Sequence, residues 1–344
     1  MAESDYVERA ITRVREVMVT ELAVVHSELE ARIAEAGYTD SGVNIDPHHI
    51  TTALRELVRS GELVYRRAPS RGGRDIDTIE LADRRRRATA LDKAAARKRL
   101  LYARYSGWAN ATARHPRGLL GPAGEAATRS AIIASGAMQP AQPGAGEVKA
   151  ILGTTLRGPA DSGGYMIPFS TQGLPGPPVT ILVEVKNIRS WVYPQSQELY
   201  QLLDKAASLQ ETHRDQPIVP VLVCRRAHRT LFKMARQIGF FAIATERQLV
   251  GEVTDDELLP VRNELHFNDL HRGNDLSQRV RDRFRDVLPE HCANFAGTWV
   301  HTCRSPRMAT CLHDLSNTQS PGQRARTMEF LRHAAEDHGL AGGW

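Results

Sequence analysis

The sequence predicts an α/β domain built on a mixed central sheet, with a small domain of three helices and a hairpin before it and a mostly helical region after it. Three observations predict this. Up to residue 58, apolar residues recur at spacings of three and four, the stripe of amphipathic helices. Between residues 119 and 250, β-branched runs such as VTILVEV and IVPVLVC alternate with helical periods. Beyond 250 the pattern is helical and charged, as in LSQRVRDRFRDVLPEH. A chain of 344 residues, 41% hydrophobic and 25% charged, has material for more than one core and excludes wholesale disorder. The expected divisions are 1–82, 83–118, 119–250 and 251–344.

The first helix is carried by Val7, Ala10, Ile11, Val14 and Val17, and a second covers residues 22–36, stopping at Gly37. A third starts at Asp46-Pro47, an acid at the N-cap followed by proline at the first helical position. It runs through Ile50, Leu54 and Leu57 to Val58 and ends at Ser60-Gly61. Strands at 62–65 and 77–81 follow, joined by the glycine-rich basic tip RRAPSRGGRD. Three helices and a basic hairpin resemble a winged helix-turn-helix domain, with ITTALRELVRSGELVYR similar to its third helix and wing. The resemblance implies that Thr51, Thr52, Arg55 and Arg59 face the major groove of DNA, while Arg66, Arg67, Arg71 and Arg74 touch phosphates from the wing. Residues 1–82 carry ten arginines against fifteen acids, so the acidic helices are expected to face away from the duplex.

Residues 84–117 are the most charged stretch. Eleven basic residues, beginning with Arg84, Arg85, Arg86 and Arg87, stand against one acid, Asp92. Guanidinium groups neutralise phosphates, so a basic helical connector that binds DNA is expected. Tyr102, Tyr105 and Trp108 lie among these charges, and their helical spacing predicts docking on a neighbouring domain.

After the break GLLGP comes a helix over 124–134, a short strand over 148–152, and strands over 164–169 and 179–185. A long helix follows Pro194, then the strand IVPVLVC, a helix over 229–238 and the strand FFAIAT. Chemistry concentrates at VEVKN. On a strand, side chains alternate, so Glu184 and Lys186 share one face. A carboxylate and an ammonium side by side at the end of an apolar strand suit a divalent cation and an anionic substrate. Asp161 can lie beside Glu184 if the two strands pair as a hairpin, and Glu125 on the preceding helix is a third carboxylate.

Asp161, then Glu184-Val185-Lys186, with Glu125 on a preceding helix, resembles the PD-(D/E)xK, or restriction-endonuclease-like, nuclease superfamily over about residues 119–250. The resemblance implies an α/β/α core with a mixed sheet and Mg2+-dependent hydrolysis of phosphodiester bonds in DNA, with Mn2+ as a substitute ion. It carries over as metal ligation by Asp161, Glu184 and the carbonyl of Val185, with Lys186 orienting or activating water. Gln197, Gln201 and Lys205, at four-residue spacing, match the helix that lines the site in many members, and Gln201 is taken as a site residue. The proline that directly precedes the family's aspartate here stands one residue early, at Pro159. A second triplet, Glu147-Val148-Lys149, has no apolar strand leading into it and reads as an exposed strand start.

Four cysteines without a C-x-x-C pair, Cys224, Cys292, Cys303 and Cys311, read as free thiols. The N-terminus carries acids and arginines where a signal peptide needs an apolar stretch, and no run approaches the roughly 18 apolar residues of a membrane helix. A soluble cytoplasmic protein with no membrane partner is expected. The expected function is a Mg2+-dependent DNA endonuclease of restriction or defence type, with DNA, a second copy of the chain or proteins of a defence or repair system as partners. The alternative is a non-catalytic DNA-binding protein or regulator that keeps a nuclease-like scaffold.

Overall fold

Why each helix and strand forms is visible in which side chains it buries. The computed structural model describes residues 3–35, 45–70, 73–85, 87–142, 146–169, 172–273, 275–337 and 339. The chain divides into two units, Met1–Leu119 with Val250–Arg272 and Leu120–Leu249 with Gly273–Trp344. Both helices and strands are abundant, and the larger sheet is mixed, so the expected mixed α/β class is present. Among the described residues no helix is long and apolar enough to cross a membrane.

In the first unit, α1 (Glu3–Glu21) buries Ala10, Val14 and Met18, one residue per turn on a single face. The single helix expected over 22–36 is not formed over the described residues, 22–35. Leu22 sits at φ 64, Ala23–Val24 form strand β1, and helix α2 (His26–Glu30) follows, continued by a π-helical turn over Ala31–Glu35. The reason is long-range: β1 pairs antiparallel with a strand more than fifty residues away, Ala23 opposite Glu80. α3 (Pro47–Arg59) has Asp46 at the N-cap and Pro47 in its first turn, although the Asp46 side chain makes no capping hydrogen bond. β2 (Leu63–Pro69) and β3 (Asp75–Leu81) form an antiparallel hairpin in full register from Leu63–Leu81 to Pro69–Asp75, longer than the sequence suggested. The sheet order is β1-β3-β2.

The basic connector is part of this unit. Helix α4 (Ala88–Ala109) buries Leu91, Ala95, Lys98, Leu101, Tyr105 and Trp108, all on one face. Tyr105 does dock, meeting Phe267 edge-on at 5.1 Å, but within its own unit and not on a neighbouring domain. Phe267 belongs to the segment 250–272, which contains the helix Asp255–Glu264 (α8), started by a capping box between Thr254 and Glu257. Residues 251–344, grouped as one region from sequence, are therefore shared between the units. At the centre, the Lys98 ammonium donates to Glu21 Oε2 at 2.8 Å, Glu28 Oε1 at 2.6 Å and the Glu264 carbonyl at 2.8 Å. Burial pushes the Glu28 carboxyl up from its usual range, and Lys98 and Arg32 oppose that.

The second unit is laid out around a five-stranded sheet. In chain order it contains α5 (Leu120–Ser135), β4 (Gln139–Pro140), β5 (Val148–Ile151), β6 (Thr154–Ala160), β7 (Ser162–Met166), β8 (Val179–Lys186), α6 (Gln197–Thr212), β9 (Ile218–Cys224), α7 (Arg229–Ile238) and β10 (Phe241–Ala244). The strand order is β10-β9-β8-β7-β4; β10, β9 and β8 run parallel, and β7 and β4 are antiparallel to their neighbours. β5 and β6 form a separate two-stranded sheet, of which β6 was not read from sequence.

Period-2 alternation sorts the side chains of β8 and β9 into two cores. Leu182 and Leu222 pack with Leu199, Leu203 and Leu231 of α6 and α7. Ile181, Val183, Val221 and Val223 pack on the other side with Ala131 and Ile132 of α5. That second core is closed by α9 (Gln278–Asp282), a π-helical turn over Arg283–Val287, and α10 (Leu288–Arg304), through Val280, Phe284, Leu288 and Cys292. The first is closed by α11 (Pro306–Asn317) and α12 (Pro321–Asp337), through Leu312, Leu315, Met328 and Leu331. The sheet is thus covered by helices on both faces, as a sheet with parallel strands requires. All four cysteines are free.

Candidate active site

The register of two strands builds the site. β7 and β8 pair antiparallel with Ser162 opposite Val183, so Asp161, one residue before β7, falls opposite Glu184. The hairpin condition stated for Asp161 is met. Its Oδ2 accepts a hydrogen bond of 2.6 Å from the Val185 amide. In an extended strand the N–H and C=O of one residue point the same way, so the Val185 carbonyl faces the same edge.

Glu184 and Lys186 share the α6 face with Leu182, and the alternation brings them into contact. Lys186 Nζ donates to Glu184 Oε1 at 2.8 Å and to Gln201 Oε1 at 2.7 Å. Lys205, one turn after Gln201 on α6, donates to Glu184 Oε2 at 2.9 Å and to the Pro159 carbonyl at 2.6 Å. The Glu184 carboxylate, 5% exposed, is therefore held between two ammonium groups. Gln197, a further turn back, donates instead to the Ser316 carbonyl at 3.5 Å and is not part of this cluster.

Glu125 comes from the other side of the sheet. Arg129, one turn along α5, reaches Glu125 at 3.6 Å and the Asp161 carbonyl at 3.2 Å, which ties the helix to the strand end. α5 closes in because Gly124 has no side chain: a Cβ there would lie 2.5 Å from the Asn187 Cβ. Asn187 follows Lys186 and donates to the carbonyls of Leu120 and Leu249, both at 2.7 Å. The residues around the motif thus have their orientations fixed by neighbours.

The electrostatics of Asp161 report how close the acids are. Burial, then the Glu184 and Glu125 carboxylates, push the Asp161 carboxyl up to about 6, against the Val185 amide and Lys186, which favour its charged form. An acid whose folded-state value lies above the ordinary 3.9 or so favours folding below that value and loses the benefit as pH rises through about 6. Asp161→Asn keeps an oxygen for the Val185 amide and removes the repulsion. In EDTA it is expected to raise stability at pH 7.5, by on the order of 1–3 kcal/mol, and to leave it unchanged at about pH 3.5. Urea unfolding at the two pH values checks this, and equal stabilities at pH 7.5 would refute it.

The donor set fits a hard cation in kind: Asp161, Glu184 and the Val185 carbonyl offer only oxygen, and the mutual repulsion of the acids is what a divalent ion relieves. In spacing the fit is looser. The groups of three acid or imidazole ligands within 4.8 Å of one another, among the described residues, do not include Glu125, Asp161 and Glu184. One such group lies in the first unit, where Glu3, His48 and His49 bring a carboxylate and two imidazoles together. The sequence reading missed it; the signal was the His-His pair directly after Pro47. The second triplet, Glu147-Val148-Lys149, lies at the start of β5, with Glu147 half-buried just before the strand and Lys149 exposed within it.

The DNA-contact candidates of the first unit are scattered in their bonding. Thr51 and Thr52 are half-buried, and their hydroxyls donate to the carbonyls of Pro47 and His48 within α3. Arg55, Arg59, Arg85 and Arg87 are exposed. Arg66 pairs with Glu80 at 3.2 Å, Arg67 with Asp75 at 3.6 Å, and Arg74 donates to Ser106 Oγ at 2.6 Å. Arg84 pairs with Glu80 and Asp92. Arg71 and Arg86 lie outside the described residues. The eleven connector charges, expected to bind DNA, are not all bare. Arg84, Arg97, Lys98 and Arg99 are paired with carboxylates of their own unit. Acids that look distant in sequence face the basic helix in the fold.

Compared with known proteins, the chain matches no protein-family model, no curated protein and no solved structure.

Proposed function

We propose that the second unit is a Mg2+-dependent endodeoxyribonuclease of the PD-(D/E)xK type, and that the first unit is a winged helix that binds the duplex. The observation that carries the reading is the convergence of Asp161, Glu184 and Lys186 at one end of β8. A mixed sheet with helices on both faces and the order β1-β3-β2 beside α3 support it for the two units.

On this reading Asp161, Glu184 and the Val185 carbonyl hold the ion, which when bound supplies Lewis acidity toward a phosphate oxygen. Lys186 places a positive charge where negative charge grows during attack on phosphorus. Gln201, by accepting from Lys186, holds the ammonium on the open side of Glu184. Lys205 neutralises the second oxygen of Glu184, and Glu125 sets the local charge together with Arg129. Mn2+, equally content with oxygen ligands, substitutes for Mg2+.

The test is supercoiled plasmid incubated with the protein in Mg2+, in Mn2+ and in EDTA. Conversion to nicked or linear plasmid with either metal, and none in EDTA, is the expected result. A specific observation favours a second reading: Glu184 is engaged by two lysines, and the three acids are not gathered within 4.8 Å. A protein that shifts duplex DNA but leaves plasmid intact with both metals would be the DNA-binding regulator of that second reading.

A further inference from the structure

A cavity of about 580 Å3 opens in the second unit beside β10, away from the residues placed in the active site, and its lining is chemically one-sided. Arg236 of α7, Arg279 of α9, Arg283 of the π-helical turn and His291 of α10 all line it, and no carboxylate does among the described residues. Arg279 is paired with Glu246 at 2.8 Å. Arg236 and Arg283 are exposed and have no hydrogen-bond or ion-pair partner among the described residues. Two guanidinium groups without a protein counter-ion among the described residues line one concavity, which favours an anion there, and their planar forks match phosphate oxygens.

The rest of the lining is aromatic and backbone. Phe232, Phe241 and Phe295 contribute phenyl rings, the last two edge-to-face at 5.4 Å. β10 is the outermost strand of its sheet. The Thr245 amide just beyond it donates to the Cys224 carbonyl of β9, so by alternation Ala242 and Ala244 turn their N–H and C=O groups to the open edge. Both residues line the cavity. Such an edge offers donors and acceptors to a flat heterocycle, as it would to another strand.

We infer that this cavity binds a nucleoside phosphate, its phosphate between Arg236 and Arg283 and its base among the phenyl rings against the open edge of β10. The volume lies within the range of roughly 300–1,000 Å3 typical of small-molecule sites. Stacking on aromatic faces tolerates every base, so the chemistry selects a nucleotide without selecting which one. The same unit has two sources, a free nucleotide or the phosphorylated end of a single strand. The inference does not depend on the nuclease reading.

Calorimetric titration of the full chain in EDTA with each of the four deoxynucleoside 5′-monophosphates, with inorganic phosphate and with the deoxynucleosides tests it. At least one monophosphate is expected to bind one-to-one with a Kd below about 1 mM, and phosphate or nucleoside alone at least about tenfold more weakly. Arg236→Ala combined with Arg283→Ala is expected to weaken the monophosphate by about tenfold or more. Both positions are exposed, so the fold is expected to tolerate the change. Phe295→Leu, which removes the ring and keeps the bulk, is expected to weaken binding several-fold, while Lys186→Ala leaves it unchanged. Displacement of the bound monophosphate by a 5′-phosphorylated single strand assigns the ligand to a strand end; absence of displacement assigns it to the free nucleotide, and either supports the site. No monophosphate binding at about 5 mM, phosphate alone binding as tightly, or a loss in Lys186→Ala with none in the arginine variants overturns the inference. Failure of plasmid cleavage would leave it standing.

Discussion

Lys186→Ala is expected to cut Mg2+-dependent nicking of supercoiled plasmid by roughly a hundred- to a thousandfold, the usual cost of removing one group that stabilises charge in the transition state. Duplex binding, which the proposed function assigns to the first unit, is expected to stay close to that of the parent protein. The physical argument is local. Lys186 is fixed by Glu184 on one side and Gln201 on the other, so its charge is already aimed and costs no reorganisation during the reaction. Lys186→Arg is expected to fail as well, because a planar guanidinium does not fill the place of a compact ammonium between those two acceptors. Glu184→Gln tests the other half. It removes a charge while keeping an oxygen, and leaves Lys186 and Lys205 without their shared counter-ion. Retained cleavage in both Lys186→Ala and Glu184→Gln would end the hydrolytic reading.

Lys98→Ala is expected to destabilise the first unit by up to about 3–5 kcal/mol, the usual cost of removing one partner of a buried charge. Glu28 is fully buried, and Lys98 is its nearest cation, with Arg32 at 2.8 Å as the other. Without Lys98 the Glu28 carboxyl is pushed further up, in the direction burial already drives it. The deficit is therefore greatest at neutral pH and shrinks as pH falls and Glu28 takes up a proton. Urea unfolding at pH 7.5 and at about pH 5 measures both parts. Adding Glu28→Gln to Lys98→Met is expected to recover part of the loss, since the pair is then replaced by neutral groups of similar shape. A deficit that does not change with pH would show that lost packing, and not the unpaired carboxylate, sets the cost.

The site was more legible in the sequence than the surface around it. Alternation along VEVKN places Glu184 and Lys186 on one face, and four-residue spacing on the next helix brings Gln201 and Lys205 toward them, because both periods are properties of the local backbone. Asp161 was legible only conditionally, since its position depends on how β7 and β8 register. What escaped was long-range. β1 is two residues long and exists because β3 offers it an edge. The pairing of Arg97, Lys98 and Arg99 with Glu264, Glu28 and Glu80 joins charges far apart in sequence, and Arg84 pairs with Glu80 just before the basic stretch, so counting charges along a window exaggerated the bare field of the connector. Glu3, His48 and His49 meet only because α1 packs beside α3.

The return of residues 250–272 to the first unit has a consequence for how the molecule is made. Synthesis proceeds from the amino terminus, and domains usually condense in that order. Here the first body to emerge lacks the Glu264 carbonyl that accepts from Lys98 and the Phe267 ring against Tyr105, both supplied only after the whole sheet of the second body has been translated. A fragment stopped at 119 would keep two of the three partners of the Lys98 ammonium and leave Tyr105 without Phe267, so its failure to bind a duplex would not by itself speak against the intact first body. The earliest stretch of the chain thus waits on residues 250–272, which follow the whole sheet of the second body but precede the helices that close its cores.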